Sequence, residues 1–162
     1  MATDPEQLRK DRAAFLKRVY ELSEGDENVF VNVDNIGGEL HFDSGYTEKI
    51  VNFLAGEFLV KRATRSEVRI EHAGVVKAED EIGGEKVEKL RKDRAAFLKK
   101  VYALSQGDEH TPVGITPAAT ELGFDIKHVH RMIDFLKEEG LVKWLARDSI
   151  TITHDGIAQF ER

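Results

Sequence analysis

One stretch of this chain is written twice. LRKDRAAFLKRVYELSEGDE, Leu8 to Glu27, returns as LRKDRAAFLKKVYALSQGDE at Leu90 to Glu109, displaced by 82 residues, with 17 of 20 positions identical. The three changes are Arg18/Lys100, Glu21/Ala103 and Glu24/Gln106. The same displacement continues to the C-terminus without a gap. It pairs Phe42-Asp43 with Phe124-Asp125, Leu59-Val60-Lys61 with Leu141-Val142-Lys143, and Ile70-x-His72-x-Gly74 with Ile152-x-His154-x-Gly156. A repeat of this length means two copies of one supersecondary module rather than one larger fold.

Two modules of about 80 residues each bury only roughly 60% of their unfolded surface, so each alone is marginal and packing the copies together is the obvious remedy. The expected division is residues 1–79 as module 1, residues 80–87 as an acidic, glycine-containing linker, and residues 88–162 as module 2. Residues 1–5 read as a short disordered lead. The chain has no cysteine, which excludes disulfides and thiolate metal sites and fits a cytoplasmic protein. MATDPEQLRK lacks the apolar run of a signal peptide, and no stretch reaches the length of a membrane span, so no membrane partner is expected.

The net charge of −6 is unevenly shared. Residues 1–82 carry 11 Lys and Arg against 17 Asp and Glu; residues 83–162 carry 13 against 13. Nucleic-acid binders draw most of their affinity from phosphate contacts. The balance therefore argues against strong non-specific binding, and leaves room for a local basic face.

Each copy opens with an amphipathic helix, its apolar face in copy one being Leu8, Phe15, Leu16, Val19 and Leu22, stopped by Gly25 or Gly107. Val29–Val33 and Val113–Ile115 read as short strands. Thr116 and Pro117 suit the cap and first position of a short helix ending at Leu122-Gly123. Asp125 then caps a helix from about Ile126 to Glu139, and Asp43 or Ser44 caps its counterpart around Tyr46 to Gly56. Gly37 and Gly38 should loosen the short helix of copy one by up to about 1 kcal/mol each. Hairpins follow at Val60–Ile70 and Leu141–Thr153, with a last helical turn from Ile157. Residues 75–87, including EDEIGGE, read as linker with at most a turn of helix at its start.

Helix, strand, helix, turn, helix, hairpin is the order of a winged helix-turn-helix domain. ATELGFDIKHVHRMIDFLKEEGLVKW (119–144) followed by SITITHDG (149–156) resembles that family, and GELHFDSGYTEKIVNFLAGEFLVKR resembles it more loosely. The resemblance implies an α+β, mostly helical protein of two tandem winged-helix domains. It implies binding rather than catalysis, with double-stranded DNA the usual ligand: the third helix enters the major groove and the wing lies on the backbone. Some tandem winged helices instead serve as protein-interaction scaffolds, which is the alternative here, since fold does not fix function.

On a helical wheel with Val129, Ile133 and Leu136 inward, Lys127, Arg131, Asp134 and Glu138 face outward, with His130 at the edge and His128 beyond. Arg131 could take a guanine edge and Lys127 a base or phosphate; Lys143 and Arg147 on the hairpin would extend the contact. In copy one the matching helix offers Lys49 and Asn52, and the hairpin offers Lys61, Arg62, Arg65 and Arg69 as phosphate grips. His128 and His130 lie two apart on a helix and diverge, unlike a zinc pair. No metal or other cofactor is expected, and neither a nucleophile elbow nor a phosphate loop suggests an enzyme.

The strongest contrast lies within the repeat. The first helix keeps 17 of 20 positions, whereas residues 28–80 match residues 110–162 at only 16 of 53. Core packing would hold the apolar positions and release the charges, yet Arg9-Lys10-Asp11-Arg12 recurs as Arg91-Lys92-Asp93-Arg94. The expectation is that the two first helices meet across a pseudo-two-fold axis with these charges pairing between copies, the chain imitating a homodimer. Exchange between the two coding segments is the simpler alternative.

Overall fold

A computed structural model describes residues 4–162. The chain divides into two compact units, Met1–Gly83 and Gly84–Arg162, called modules 1 and 2 below. Module 1 runs α1 (Pro5–Ser23), β1 (Val31–Asn32), α2 (Val33–Glu39), α3 (Ser44–Gly56), β2 (Val60–Arg62), β3 (Glu67–Ile70) and α4 (His72–Ile82). Module 2 repeats the order with α5 (Gly84–Ser105), β4 (Val113–Gly114), α6 (Ile115–Leu122), α7 (Ile126–Glu138), β5 (Val142–Ala146), β6 (Ser149–Ile152) and α8 (His154–Glu161). The protein is mostly helical with two small antiparallel sheets, ordered β1-β3-β2 and β4-β6-β5. Each module shows the element order expected of a winged helix, with one further helix after the hairpin.

In each module the first helix lies under the sheet and the third helix. Phe15, Leu16 and Val19 of α1 are buried together with Ile36, Ile50, Leu54, Val68 and Ile70. The module 2 core gathers Phe97, Leu98 and Val101 of α5 with Ile115, Val129, Ile133, Leu136, Ile150 and Ile152. These are the apolar stripes of amphipathic helices and the inward positions of alternating strands.

Local chemistry fixes the helix ends. Asp43 accepts from Tyr46 N at 2.7 Å and Asp125 from Lys127 N at 2.7 Å, so both third helices start where a carboxylate meets unpaired N–H groups. Thr116 does not cap α6: the helix begins at Ile115, after Gly114. The reason is the sheet, because Gly114 pairs with Ser149 and Ile115 N donates to Asp148 O at 2.9 Å, which fixes the turn two residues earlier. Pro117 remains in the first turn, where no N–H is required.

The expected linker is largely helix. α4 continues to Ile82 and α5 begins at Gly84, leaving only Gly83 between them. Val75, Ala78 and Glu79 form a buried face of α4, and Glu79 accepts from Tyr20 Oη at 3.0 Å. α8 likewise starts earlier than expected, at His154, where Thr153 Oγ1 accepts from Gly156 N at 3.0 Å. Gly74 and Gly156 do not break these helices. A Cβ on either would lie 2.0 or 2.2 Å from the carbonyl oxygen of Leu59 or Leu141, so they allow the last helix to approach the hairpin's first strand. Of the expected disordered lead, residues 1–3 fall outside the described residues; Asp4 is exposed at the N-cap of α1 and Pro5 opens the helix.

Candidate nucleic-acid interface

The last two residues of the repeated tetrad, Asp11-Arg12 and Asp93-Arg94, are used inside each module. Asp11 accepts from Tyr46 Oη on α3 at 2.5 Å, and Asp93, the matching residue, lies 3.0 Å from His128 Nε2 on α7. Arg12 sets its guanidinium carbon 3.4 Å from the ring centroid of Phe53, and Arg94 does the same over Phe135 at 3.5 Å. One carboxylate and one guanidinium thus hold the third helix to the first, by a charge-assisted hydrogen bond and a cation–π contact. For these four residues this corrects the expectation that the repeated charges pair between copies. Asp11, Arg12, Asp93 and Arg94 find these partners about 35 to 41 positions onward in their own module. Burial, and then the hydrogen bond to Asp11, push the Tyr46 phenol up to about 12.

Two further ties recur. Arg18 meets Glu39 at 2.6 Å and Lys100 meets Glu121 at 2.5 Å, linking the first helix to the second in both modules despite the Arg/Lys change. Tyr20 Oη donates to Glu79 and Tyr102 Oη donates to Glu161, at 3.0 and 3.1 Å, linking the first helix to the last.

The third helix is also tied to the wing, at the same three positions but with different chemistry. In module 1, Arg62 Nη2 on β2 donates to Glu48 at 3.0 Å and to Asn52 at 3.2 Å on α3, while Nη1 donates to Arg65 O at 2.8 Å. In module 2 those positions hold Trp144, His130 and Asp134. Trp144 Nε1 donates to Asp134 at 3.4 Å, and its ring meets the His130 ring edge-on at 5.6 Å. The third helix and the two-stranded hairpin of each module are thereby held in one orientation.

These ties sort the twelve candidate binding residues. His128 is half-buried, bonded to Asp93 of α5 and packed edge-on against Phe124. Asn52 and Arg62 are bound to each other and hold the wing. Arg131 is half-buried, with its Nε shut off from solvent and its side chain already engaged. Arg69 is half-buried beside Phe30. His130 is exposed but carries Trp144 on its ring. Lys127, Lys143 and Arg147 in module 2, and Lys49, Lys61 and Arg65 in module 1, are exposed. Beside the module 2 cations stand two exposed apolar residues, Ile126 at the start of α7 (45% exposed) and Leu145 on the wing (58%).

The wheel placed the outward face correctly at Lys127 and Glu138, but part of that face is covered by the wing. The positioning residues Asp11, Arg12, Asp93, Arg94 and Trp144 were not among the candidates. For all of these but Trp144, whose counterpart is Arg62, the signal was present in the retention of a charged tetrad where charges are ordinarily free to vary.

Among the described residues, no helix is long and apolar enough to cross a membrane. No family model and no curated protein sequence matches the chain. Among solved structures it is similar to the bacterial selenocysteine-specific elongation factor EF-Sec, at 12% identity over 95% of this chain and 20% of that one, with a TM-score of 0.35. It is also similar to the mRNA-binding domain of elongation factor SelB from E. coli in complex with SECIS RNA, at 11% identity over 86% of this chain and 98% of that one, with a TM-score of 0.31. The chain spans about a fifth of the length of the first. Both likenesses are distant.

Proposed function

We propose that this chain is a cytoplasmic tandem winged-helix regulator that binds double-stranded DNA, with module 2 as the main reader. It is a binding protein in this reading and not an enzyme. The observation that carries it is the tie of Trp144 to His130 and Asp134, which fixes helix and wing together while Lys127, Lys143 and Arg147 remain exposed. Lys127, in the first turn of α7, is the residue assigned to bases or to a phosphate; Lys143 and Arg147 are assigned to the backbone. Arg131, already engaged, is not assigned a base. Lys49 and Arg65 of module 1 add backbone contacts.

Affinity for random duplex DNA should fall with salt, with a slope of log affinity on log salt near −4 to −5 for about five neutralised phosphates. Paired substitution of Lys127 and Arg147 by alanine should reduce that slope by about 2. Absence of duplex binding at low salt would sink the reading.

A second reading has its own support. Ile126 and Leu145 expose apolar surface beside the same cations, which suits a protein partner better than a phosphate backbone. A scaffold would show no duplex binding at any salt, and its partner affinity would drop on Leu145→Ser.

A further inference from the structure

The outer face of the module 1 sheet carries a row of side chains that module 2 lacks. β3 is the central strand, and its inward residues Val68 and Ile70 are almost completely buried. Arg69, between them, therefore points away from the core. Its register partner on β2 is Lys61, which is exposed. On the other side β1 pairs Val31 with Val68, and continuing that ladder by one residue brings Phe30 alongside Arg69. The Arg69 guanidinium carbon stands 5.8 Å from the Phe30 ring centroid, and Phe30 is 56% exposed. Across the sheet the row reads aromatic ring, guanidinium, ammonium.

This row is costly for a sheet. Like charges directly opposite in an antiparallel ladder repel, and an exposed phenylalanine gains nothing from water. Module 2 avoids both costs with Pro112, Thr151 and Lys143 at the corresponding positions. Glu67, two residues back along β3, accepts from Thr64 Oγ1 at 3.3 Å. An anion that also presents a flat ring would relieve both costs at once.

We propose that this face of module 1 binds single-stranded nucleic acid, one base stacking on Phe30 and Arg69 while Lys61 takes an adjacent phosphate. Unpaired bases stack on exposed aromatic side chains and on guanidinium planes, and a cationic track carries the backbone between them. A duplex cannot use the ring, because its bases already stack on one another. The site is thus separate from the duplex reading of module 2 and stands or falls independently of it.

The test is fluorescence anisotropy of the full chain with labelled oligo-dT and oligo-U single strands at low salt, beside a duplex of equal length. Phe30→Leu keeps apolar bulk and removes the ring face; it should weaken single-strand binding about tenfold or more and leave duplex binding unchanged. Phe30→Trp should retain the affinity. Arg69→Thr, which installs the residue module 2 carries there, should weaken single strands by a similar factor. Alanine at Lys127 and Arg147 should move the duplex arm far more than the single-strand arm. Preference for oligo-U or for oligo-dT identifies RNA or DNA as the ligand. No single-strand binding at low salt overturns the proposal, as does binding that Phe30→Leu leaves intact.

Discussion

At the end of its second helix module 1 turns through His41 at φ 63°, where module 2 turns through Gly123 at φ 70°. After its third helix module 1 turns through Phe58 at φ 60°, where module 2 uses Gly140 at φ 77°. Inside the helices the pattern inverts. Gly37, Gly38, Gly45 and Gly56 of module 1 stand where module 2 has Ala119, Thr120, Lys127 and Glu138. Module 1 thus carries side chains where the backbone favours glycine and, except at Gly37, where a Cβ would fall 2.3 Å from Thr47 Oγ1, glycine where a helix favours side chains. Both modules nevertheless reach the same element order, held by the same four ties from the first helix. Those ties tolerate changes of chemistry: Asp11 takes a phenol and Asp93 an imidazole, and Arg18 and Lys100 reach the same glutamate position. Both modules share one left-handed non-glycine residue after the first helix, Glu24 at φ 53° and Gln106 at φ 55°, so the lesson is confined to the later turns: on a nearly invariant first helix, module 1 has relaxed the local rules after its second and third helices and module 2 has kept them there.

The largest expected consequence is a difference in local stability. Two left-handed non-glycine residues at about 1–2 kcal/mol each, with helical glycines at about 0.5–1 kcal/mol each, should leave module 1 several kcal/mol easier to open than module 2. Hydrogen exchange followed by mass spectrometry on the full chain reads this directly. Amides in α3 should exchange before their counterparts in α7. Equal protection in the two helices would break the comparison, because it would mean that the modules open as one cooperative unit.

The clamp onto the third helix offers a sharper, smaller test. Arg94 is 9% exposed, and its contact with Phe135 lies away from water more fully than that of Arg12 with Phe53, which is 37% exposed. A cation–π pair gains strength as it is desolvated. A double-mutant cycle of Arg94→Ala with Phe135→Leu should show a coupling of about 2 kcal/mol, against about 1 kcal/mol or less for Arg12→Ala with Phe53→Leu. A larger coupling in module 1 would show that burial does not set the strength of this contact.

Much of this arrangement could be read before the structure, and the failures have physical causes. The hairpins and the Asp43 and Asp125 caps were legible because turn chemistry and capping act within a few residues. α4 was not, because EDEIGGE advertises charge and glycine more loudly than the spacing of Val75, Ala78 and Glu79 advertises a buried face. Thr116 was misread as a cap because β4 draws the start of α6 back to Ile115, and strand pairing with β6 is not a local signal. Within the repeated tetrad, the Asp and the second Arg have partners in their own module rather than in the other copy. Periodicity shows which side of a helix a charge occupies, but not which of two related modules supplies the ring or hydroxyl opposite it. At the candidate interface, His128, Asn52 and Arg62 had suitable chemistry for a ligand, and each is bonded to another element of its own module instead.

The smallest effect isolates the backbone. Phe58 is 76% exposed and has few contacts to lose, so its replacement tests conformation more than packing. Phe58→Gly should relieve about 1–2 kcal/mol of left-handed strain and give back about 0.4–1 kcal/mol through the freer unfolded chain. The expected net gain in module 1 is about 0.5–1 kcal/mol, measured by urea unfolding with hydrogen exchange to assign it to that module. Gly140→Phe should cost module 2 a similar amount, with the sign reversed. The paired design matters because the two sites follow equivalent helices and share a backbone conformation, so packing differences largely cancel. If Phe58→Gly destabilises module 1, the ring must rest on something that offsets its strain, and the contrast between a relaxed and a strained module would narrow to His41 and the helical glycines.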